Sequence, residues 1–357
     1  MPAIKKGSDM SVLTQVADRI SGGKFTKRDF DTRLQRFTQT GGVEDGDSRA
    51  LVDAFLKSGG EWLTDGSRSI AARTPKYDFS DADDVLGLWR RPGSLETTLG
   101  LLRRDGYAIL DVELPAETVA SLSRDFSDAP CSLTSDKKVE IGPNDRVQVD
   151  IANPLAEKYA VDTNALVQNP TVRQLVLDRG LLQIAQEYIG SAPIIDIITA
   201  WYSFPTATPS HEAAQLFHFD LDRVRWLKVF FLLTDQTLET GAHTYIPGTQ
   251  RDGGIDPRLL GRGYARLEDD DVAAFHPQST WKTMEGTKGQ ILLEDTRGLH
   301  KGRALKHDYR LMLQFEYTQS LFGDPPLLQR AHLDPIEDDH WQSMSRAFPL
   351  TTSALSR

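Results

Sequence analysis

The stretch that decides the fold is Trp226–Leu233, WLKVFFLL, in which only Lys228 interrupts a run of aromatic and branched apolar residues. Short apolar runs of this kind, bounded by turn residues, are typical of buried β-strands. Turn residues such as Gly241, Gly286 and Gly289 separate this run from further segments of the same character. These segments are Ile194–Phe204, Gln215–Phe219, His243–Ile246, Gln290–Leu293 and Arg310–Thr318. The pattern predicts a mainly β domain, a jelly roll or barrel, with helices packed outside it.

Helical spacing dominates the chain before these strands. The apolar residues Leu51, Ala54 and Phe55, and earlier Val12, Val16 and Ile20, recur at intervals typical of one helix face. Residues 1–90 are therefore predicted to form a helical N-terminal extension, residues 91–320 the main domain, and residues 321–357 a tail that packs on it.

Three further predictions concern the chain between the extension and the strands. Ser94 is expected to cap a helix that ends at Arg104, and Tyr107–Leu110 to form a strand. Residues 128–168 are expected to be loops around the entrance of a site, because they are mixed and rich in Asp, Asn and Pro. One helix is expected over about residues 170–189, with Gly190 ending it.

Composition restricts the classes of function. The 357 residues carry a formal net charge of −10, which disfavours binding to nucleic acid or anionic lipid. A single cysteine, Cys131, excludes an internal disulfide and is consistent with a reducing compartment. No apolar run resembles a secretion signal or a membrane span, so we expect a cytoplasmic protein that acts on a small molecule. Assembly into a homo-oligomer is left open.

The strongest local signal for chemistry is His218-Phe219-Asp220, at the end of a predicted strand. Residues i and i+2 of a strand point to the same face, so the imidazole and the carboxylate can converge on one metal ion while Phe219 faces away. The motif is short and common, and a buried histidine beside a turn aspartate is the alternative. A third ligand has to come from elsewhere in the chain.

His300 is the best candidate for that ligand, because it lies in a glycine-flanked loop just after the strand Gln290–Leu293. Two imidazoles and one carboxylate on one face of an iron(II) ion leave three positions open, enough for a bidentate 2-oxo acid and O₂. Arg310 opens the next strand and could hold the distal carboxylate of 2-oxoglutarate through its planar fork. Lys228, within a strand, could also bond this co-substrate.

Together these motifs resemble the phytanoyl-CoA dioxygenase family of iron/2-oxoglutarate oxygenases, from about Leu99 to Tyr317. The similar stretches are the strand entry Arg104–Leu110, the helix end Ile184–Gly190, the turn Thr240–Arg251 and the loop Gly289–His300. The resemblance implies a double-stranded β-helix, a jelly roll related to the cupins. It also implies His218, Asp220 and His300 as metal ligands and Arg310 as the co-substrate arginine.

The implied reaction is hydroxylation of a C–H bond, with oxidative decarboxylation of 2-oxoglutarate to succinate and CO₂. Family halogenases replace the metal carboxylate by a small residue, whereas this chain keeps Asp220, which favours hydroxylation or desaturation. Gly302 stands where many members carry a polar residue two positions after the distal histidine, so the second co-substrate contact is not assigned. Two alternatives remain: a cupin-like metal enzyme without 2-oxoglutarate, and a non-catalytic 2-oxoglutarate-binding protein.

Other polar residues near these motifs have two interpretations each. His243 lies near the predicted mouth but lacks a partner at useful spacing, so a structural role is expected. Arg225 and Arg297 could steer an anionic substrate or belong to solvated loops. The remaining histidines are expected at the surface or in structural hydrogen bonds: His211, His276, His307, His332 and His340.

Overall fold

Ten strands and the helices around them make up the part of the chain that the computed structural model describes, residues 25–80, 82–134, 146–205 and 215–324. The strands form two antiparallel sheets. The large sheet has the order β1-β8-β5-β10-β4-β3-β2 and the small sheet the order β7-β6-β9. Their bounds are β1 Tyr107–Glu113, β2 Cys131–Thr134, β3 Lys158–Val161, β4 Ile194–Ser203, β5 Trp226–Leu232, β6 His243–Tyr245, β7 Lys282–Met284, β8 Gln290–Glu294, β9 His300–Gly302 and β10 Arg310–Thr318.

The helices flank these sheets. Those before the second strand are α1 Lys27–Thr40, α2 Asp47–Ser58, α3 Glu61–Ala71, α4 Ser94–Asp105 and α5 Ala116–Asp128. The later ones are α6 Thr163–Gln168, α7 Pro170–Val176, α8 Arg179–Ile189, α9 Pro257–Leu260 and α10 Asp269–Ala273, with a 3-10 turn at Gln278–Thr280.

Strand β10 sets the two faces of the large sheet. It pairs with β4 on one side and β5 on the other, with Leu313 opposite both Ala200 and Phe231. Its odd-numbered residues pack into the main core, beneath the helices. Its even-numbered residues Arg310, Met312 and Gln314 line a cavity on the opposite face. Because side chains alternate along a strand, one sheet supplies a helix-covered core and a cavity wall at once.

The small sheet closes over this cavity. Tyr245 of β6 and Met284 of β7 pack with Phe230, Leu292 and Met312 of the large sheet in a small apolar cluster. The strand pairs of the described residues are all antiparallel, and the two sheets face each other across the cluster and the cavity. The prediction of a mainly β jelly roll, the double-stranded β-helix, with flanking and N-terminal helices is confirmed.

The N-terminal helices pack behind the strand segment that carries His218. Leu51 and Phe55 of α2 are buried in a second core cluster together with Phe217 and Phe219. The Phe55 and Phe219 rings lie 5.1 Å apart, centroid to centroid. The extension thus shares a core with the β domain, and its assignment as a unit of its own stays a prediction. The predicted helix at Val12, Val16 and Ile20, and residues 325–357 of the predicted tail, lie outside the described residues.

Several local predictions were wrong. Residues 128–168 contain β2, β3 and α6 instead of loops alone, because β2 and β3 are only four residues long, too short to leave a clear period in the sequence. The helix over 170–189 is two helices, since Asp178 breaks the first and caps the second by accepting from the Leu181 amide. Ser94 does not cap α4, because Gly93 in the left-handed region precedes it.

The segment Gln215–Phe219 is not a full strand either. Phe217 and His218 form isolated bridges to Leu267 and His300. His300, expected in a loop, begins the three-residue strand β9. Both errors have one cause, since these short pairings are made with partners distant in sequence and leave no periodic pattern of their own.

We predict that Phe55→Ala lowers the free energy of unfolding by about 3–5 kcal/mol, because it leaves a cavity beside the buried Phe219 ring. Urea unfolding followed by circular dichroism measures this change. The matched control is Leu155→Ala at an exposed apolar position, which should change stability by less than about 0.5 kcal/mol. A loss below about 1 kcal/mol for Phe55→Ala would show that α2 does not support this segment.

Candidate metal centre

His218 and His300 are held side by side by their own backbones. The amide of His218 donates to the carbonyl of His300 at 3.0 Å, and the amide of His300 donates back at 2.9 Å. Paired residues of an antiparallel bridge project their side chains in the same direction. The ring centroids are accordingly 4.2 Å apart, although 82 positions separate the residues in the sequence.

Asp220 completes a cluster of three candidate ligands. Oδ1 of Asp220 lies 3.8 Å from Nε2 of His218, and Oδ2 lies 3.6 Å from Nε2 of His300. One donor atom from each of the three residues falls within 4.8 Å of the others. Phe219 points the opposite way, into the second core cluster. The structure therefore brings together the three residues that the sequence predicted as a group.

Backbone carbonyls fix the orientation of both imidazoles. Nδ1 of His218 donates to the carbonyl of Leu216, and Nδ1 of His300 donates to that of Gly298, each at 2.9 Å. With the proton on Nδ1, each Nε2 lone pair is directed at the cluster. Burial lowers the pKa of both histidines below the ordinary 6.5. Both rings are thus neutral and able to bind a metal at physiological pH.

Lys228 keeps the third candidate ligand ionised. Its Nζ lies 2.7 Å from Oδ2 of Asp220, 2.8 Å from Asp222 and 3.6 Å from Glu316. Burial opposes the ionisation of Asp220, but the charge of Lys228 holds its pKa well below the usual range. Lys228 was predicted to bind the co-substrate, whereas the structure directs its ammonium at carboxylates. We interpret it as a residue that positions Asp220.

Arg310 lies in the same cavity with its charge unpaired. Nη1 donates to the carbonyl of Gly241, and Nη2 lies 3.4 Å from Oγ of Ser203. Within the described part of the chain no carboxylate forms an ion pair with it, and its buried Nε has no hydrogen-bond partner. Burial lowers the pKa of Arg310 to about 10, which still leaves it cationic at neutral pH. A buried unpaired guanidinium favours an anionic ligand.

The cavity that connects these residues has a volume of about 230 Å³. Its lining includes His218, Asp220, His300 and Arg310. Its walls are mostly apolar and aromatic, with Trp201, Phe230, Leu232, Met284, Leu292 and Met312. Concave sites with a few convergent polar groups are typical of small-molecule binding.

His243 lines this cavity, and the structural role expected for it stays a prediction. Its Nε2 lies 2.9 Å from the carboxylate of Glu294, which is fully buried, and its ring stacks on that of His300 with centroids 5.5 Å apart. The alternation along β6 could have indicated this position, because Tyr245 two residues later also faces inward.

The other polar candidates lie away from the cluster. His276 receives a weak hydrogen bond from the amide of Asp256, and His307 is exposed beside Asp308. His211, His332 and His340 lie outside the described residues. Burial raises the pKa of the Cys131 thiol to about 11, so the thiol stays protonated at neutral pH.

Comparison with known proteins identifies the family. The family model described as phytanoyl-CoA dioxygenase (PhyH) matches residues 102–308, more than half of the chain. The chain belongs to the phytanoyl-CoA dioxygenase family. This membership confirms the predicted resemblance and assigns the chain to the iron/2-oxoglutarate-dependent enzymes as a class. No curated protein sequence matches it.

Solved structures similar to this family member are distant in sequence. The α-ketoglutarate-dependent epimerase SnoN of nogalamycin biosynthesis is 20% identical, with 64% of this chain and 84% of that chain covered and a TM-score of 0.41. HygX from Streptomyces hygroscopicus, solved with nickel and 2-oxoglutarate, is 16% identical over 62% and 85%, with a TM-score of 0.44. EctD from S. alaskensis, with bound Fe, is 17% identical over 73% and 94%, with a TM-score of 0.43.

Among the helices of the described residues, none combines the length and the apolar character needed to cross a bilayer.

We predict that Mn²⁺ binding to the metal-free protein is insensitive to pH from about pH 8 down to about pH 6.5. Buried His218 and His300 have lowered pKa values, so protons compete with the metal only in more acidic solution. Isothermal titration calorimetry in several buffers measures the affinity. A steady loss of affinity across that window would mean that the imidazoles titrate like exposed ones.

Proposed function

We propose that this phytanoyl-CoA dioxygenase family member binds iron(II) through His218, Asp220 and His300 and oxidises a small molecule with 2-oxoglutarate and O₂. The observation that carries the proposal is one cavity that contains both the three-ligand cluster and the unpaired guanidinium of Arg310. The proposed outcome is hydroxylation of a C–H bond.

The cluster has the donor set that non-heme iron(II) oxygenases use. Two neutral imidazole Nε2 atoms and one ionised carboxylate converge on one point and leave the cavity side free. Each histidine is oriented by a hydrogen bond from its other ring nitrogen, as metal-binding histidines commonly are. These residues fit iron(II), which when bound supplies the activation of O₂ and the redox chemistry.

Arg310 fits the second requirement, a receptor for the distal carboxylate of 2-oxoglutarate. Its guanidinium is buried, faces the cavity and has Ser203 beside it as a hydroxyl partner. A carboxylate can take two parallel charge-assisted hydrogen bonds from such a fork. We propose that Arg310, with Ser203, binds the co-substrate and orients its 2-oxo acid end toward the metal ligands.

The remaining residues of the cavity hold the reactants and exclude water. Lys228 keeps Asp220 ionised and fixes one of its oxygens. The apolar walls, including Trp201 and Phe230, place the substrate in a low-polarity environment next to the cluster. The balanced reaction is R–H, 2-oxoglutarate and O₂ going to R–OH, succinate and CO₂.

Succinate release is the direct test of the proposal. Purified protein is incubated with iron(II), 2-oxoglutarate, O₂ and a panel of small metabolites, and products are identified by mass spectrometry. A substrate mass increased by one oxygen supports hydroxylation, whereas loss of two hydrogens indicates desaturation and an unchanged mass indicates isomerisation. We expect His218→Ala and Asp220→Ala to lose succinate formation, with exposed His307→Ala as the matched control. Full activity in either variant would contradict the ligand assignment.

We predict that Arg310→Leu weakens 2-oxoglutarate binding by about 100-fold, because a charge-assisted bidentate pair contributes about 3 kcal/mol. Metal affinity should stay within about twofold, since Arg310 is not a ligand. Calorimetry with Mn²⁺ and 2-oxoglutarate measures both quantities without turnover. Unchanged 2-oxoglutarate binding would favour a cupin-like enzyme that does not use it. Tight binding without succinate release for any substrate would favour the non-catalytic alternative.

A further inference from the structure

A second cavity lies behind the loop that leads to His300. Its volume is about 200 Å³, and it is formed where α3, α4, α8 and the start of β5 meet. Four arginines from distant parts of the sequence surround it: Arg103, Arg225, Arg251 and Arg297. Its other lining residues are Thr64, Tyr188, Gln250 and Asp252.

Arg225 is the deepest cation without a counter-ion in this cavity. Its guanidinium stacks over the Tyr188 ring at 4.7 Å, and its buried Nε has no hydrogen-bond partner among the described residues. No carboxylate of those residues lies within ion-pair distance of it. Burial, together with the nearby charge of Arg297, lowers the pKa of Arg225.

The acidic groups nearby are already engaged. Asp295 accepts hydrogen bonds from the Arg297 guanidinium, the shortest at 2.7 Å, from the Arg297 amide at 3.1 Å and from the hydroxyl of Tyr188 at 2.6 Å. Asp252 accepts from the hydroxyl of Thr64 at 2.7 Å. Four guanidiniums against two carboxylates leave an excess of two positive charges around one cavity. An excess of this kind favours a bound dianion.

We propose that this cavity binds a phosphate-type dianion, either inorganic phosphate or the phosphate group of a small metabolite. Guanidinium groups suit tetrahedral phosphate oxygens through paired hydrogen bonds. Arg225 at the floor is the main contact, with Arg103 and Arg251 at the exposed rim. The proposal does not depend on the identity of the metal or of the oxidised substrate.

The position of the cavity connects it with the metal centre. Arg297 and Asp295 belong to the loop before His300. The carbonyl of Thr296 in that loop accepts a hydrogen bond from the backbone amide of Asp220 at 2.8 Å. An anion on the Arg225 side therefore contacts the loop that holds two of the three candidate ligands.

Calorimetric titration of the metal-free full chain with inorganic phosphate tests the proposal, with chloride at equal ionic strength as the blank. We expect saturable binding that Arg225→Gln weakens by about tenfold or more, since a hydrogen-bonded charge contributes about 1.5–3 kcal/mol. Arg258→Gln, at an exposed arginine paired with Asp256, is the matched control and should bind as the unaltered protein does. If Arg225→Gln does not fold cooperatively, Arg251→Gln at the rim takes its place, with a smaller loss expected.

Titration with two different phosphates distinguishes a phosphorylated metabolite from free inorganic phosphate as the bound ligand. Tighter binding of glycerol phosphate than of inorganic phosphate would indicate a phosphorylated metabolite, and equal binding the free anion. Either result supports a phosphate site. Binding of malonate but not phosphate, no saturable binding, or equal binding by the unaltered protein and the Arg225 variant would overturn the proposal. Because the protein is metal-free in this titration, its failure would leave the oxygenase assignment untouched.

Discussion

The reciprocal backbone hydrogen bonds between His218 and His300 are the constraint on which the rest of the site depends. They join a segment after β4 to the start of β9 and place two imidazoles 4.2 Å apart. The Asp220 carboxylate points toward the two imidazoles because residues i and i+2 of an extended segment share a face. The amide of Asp220 donates to the carbonyl of Thr296, which fixes its position. The helices of the N-terminal extension support this pairing from behind, through Phe219. The site is thus held by main-chain geometry and needs few side-chain contacts.

The second constraint is the burial of charged side chains at the site, where the protein interior solvates them poorly. Lys228 is surrounded by Asp220, Asp222 and Glu316, while Arg310 has no counter-ion among the described residues. Buried ion pairs contribute little net stability, because desolvation offsets most of their attraction. We therefore interpret this arrangement as serving function. One cation fixes the metal carboxylate, and the other is kept available for an anionic ligand.

Sequence patterns predicted the parts of the structure that are periodic or carry a motif. Strand β10 was predicted with the bounds that the structure shows, because nine consecutive buried residues leave a strong signal. His218, Asp220 and His300 were predicted together from strand parity and a distant glycine-flanked histidine. The short strands β2, β3 and β9 were missed, since tertiary pairing and not local propensity forms them. Arg225 and Arg297 were treated as steering or solvated residues, because no linear pattern reveals that four scattered arginines share one cavity.

The most direct test is a crystal structure of the protein with iron(II) and 2-oxoglutarate under anaerobic conditions. We predict one iron ion bound by Nε2 of His218, Nε2 of His300 and a carboxylate oxygen of Asp220, each at about 2.0–2.2 Å. We also predict the distal carboxylate of 2-oxoglutarate on Arg310, with Lys228 still on Asp220. An ion bound elsewhere, or a 2-oxoglutarate carboxylate directed away from Arg310, would contradict this prediction.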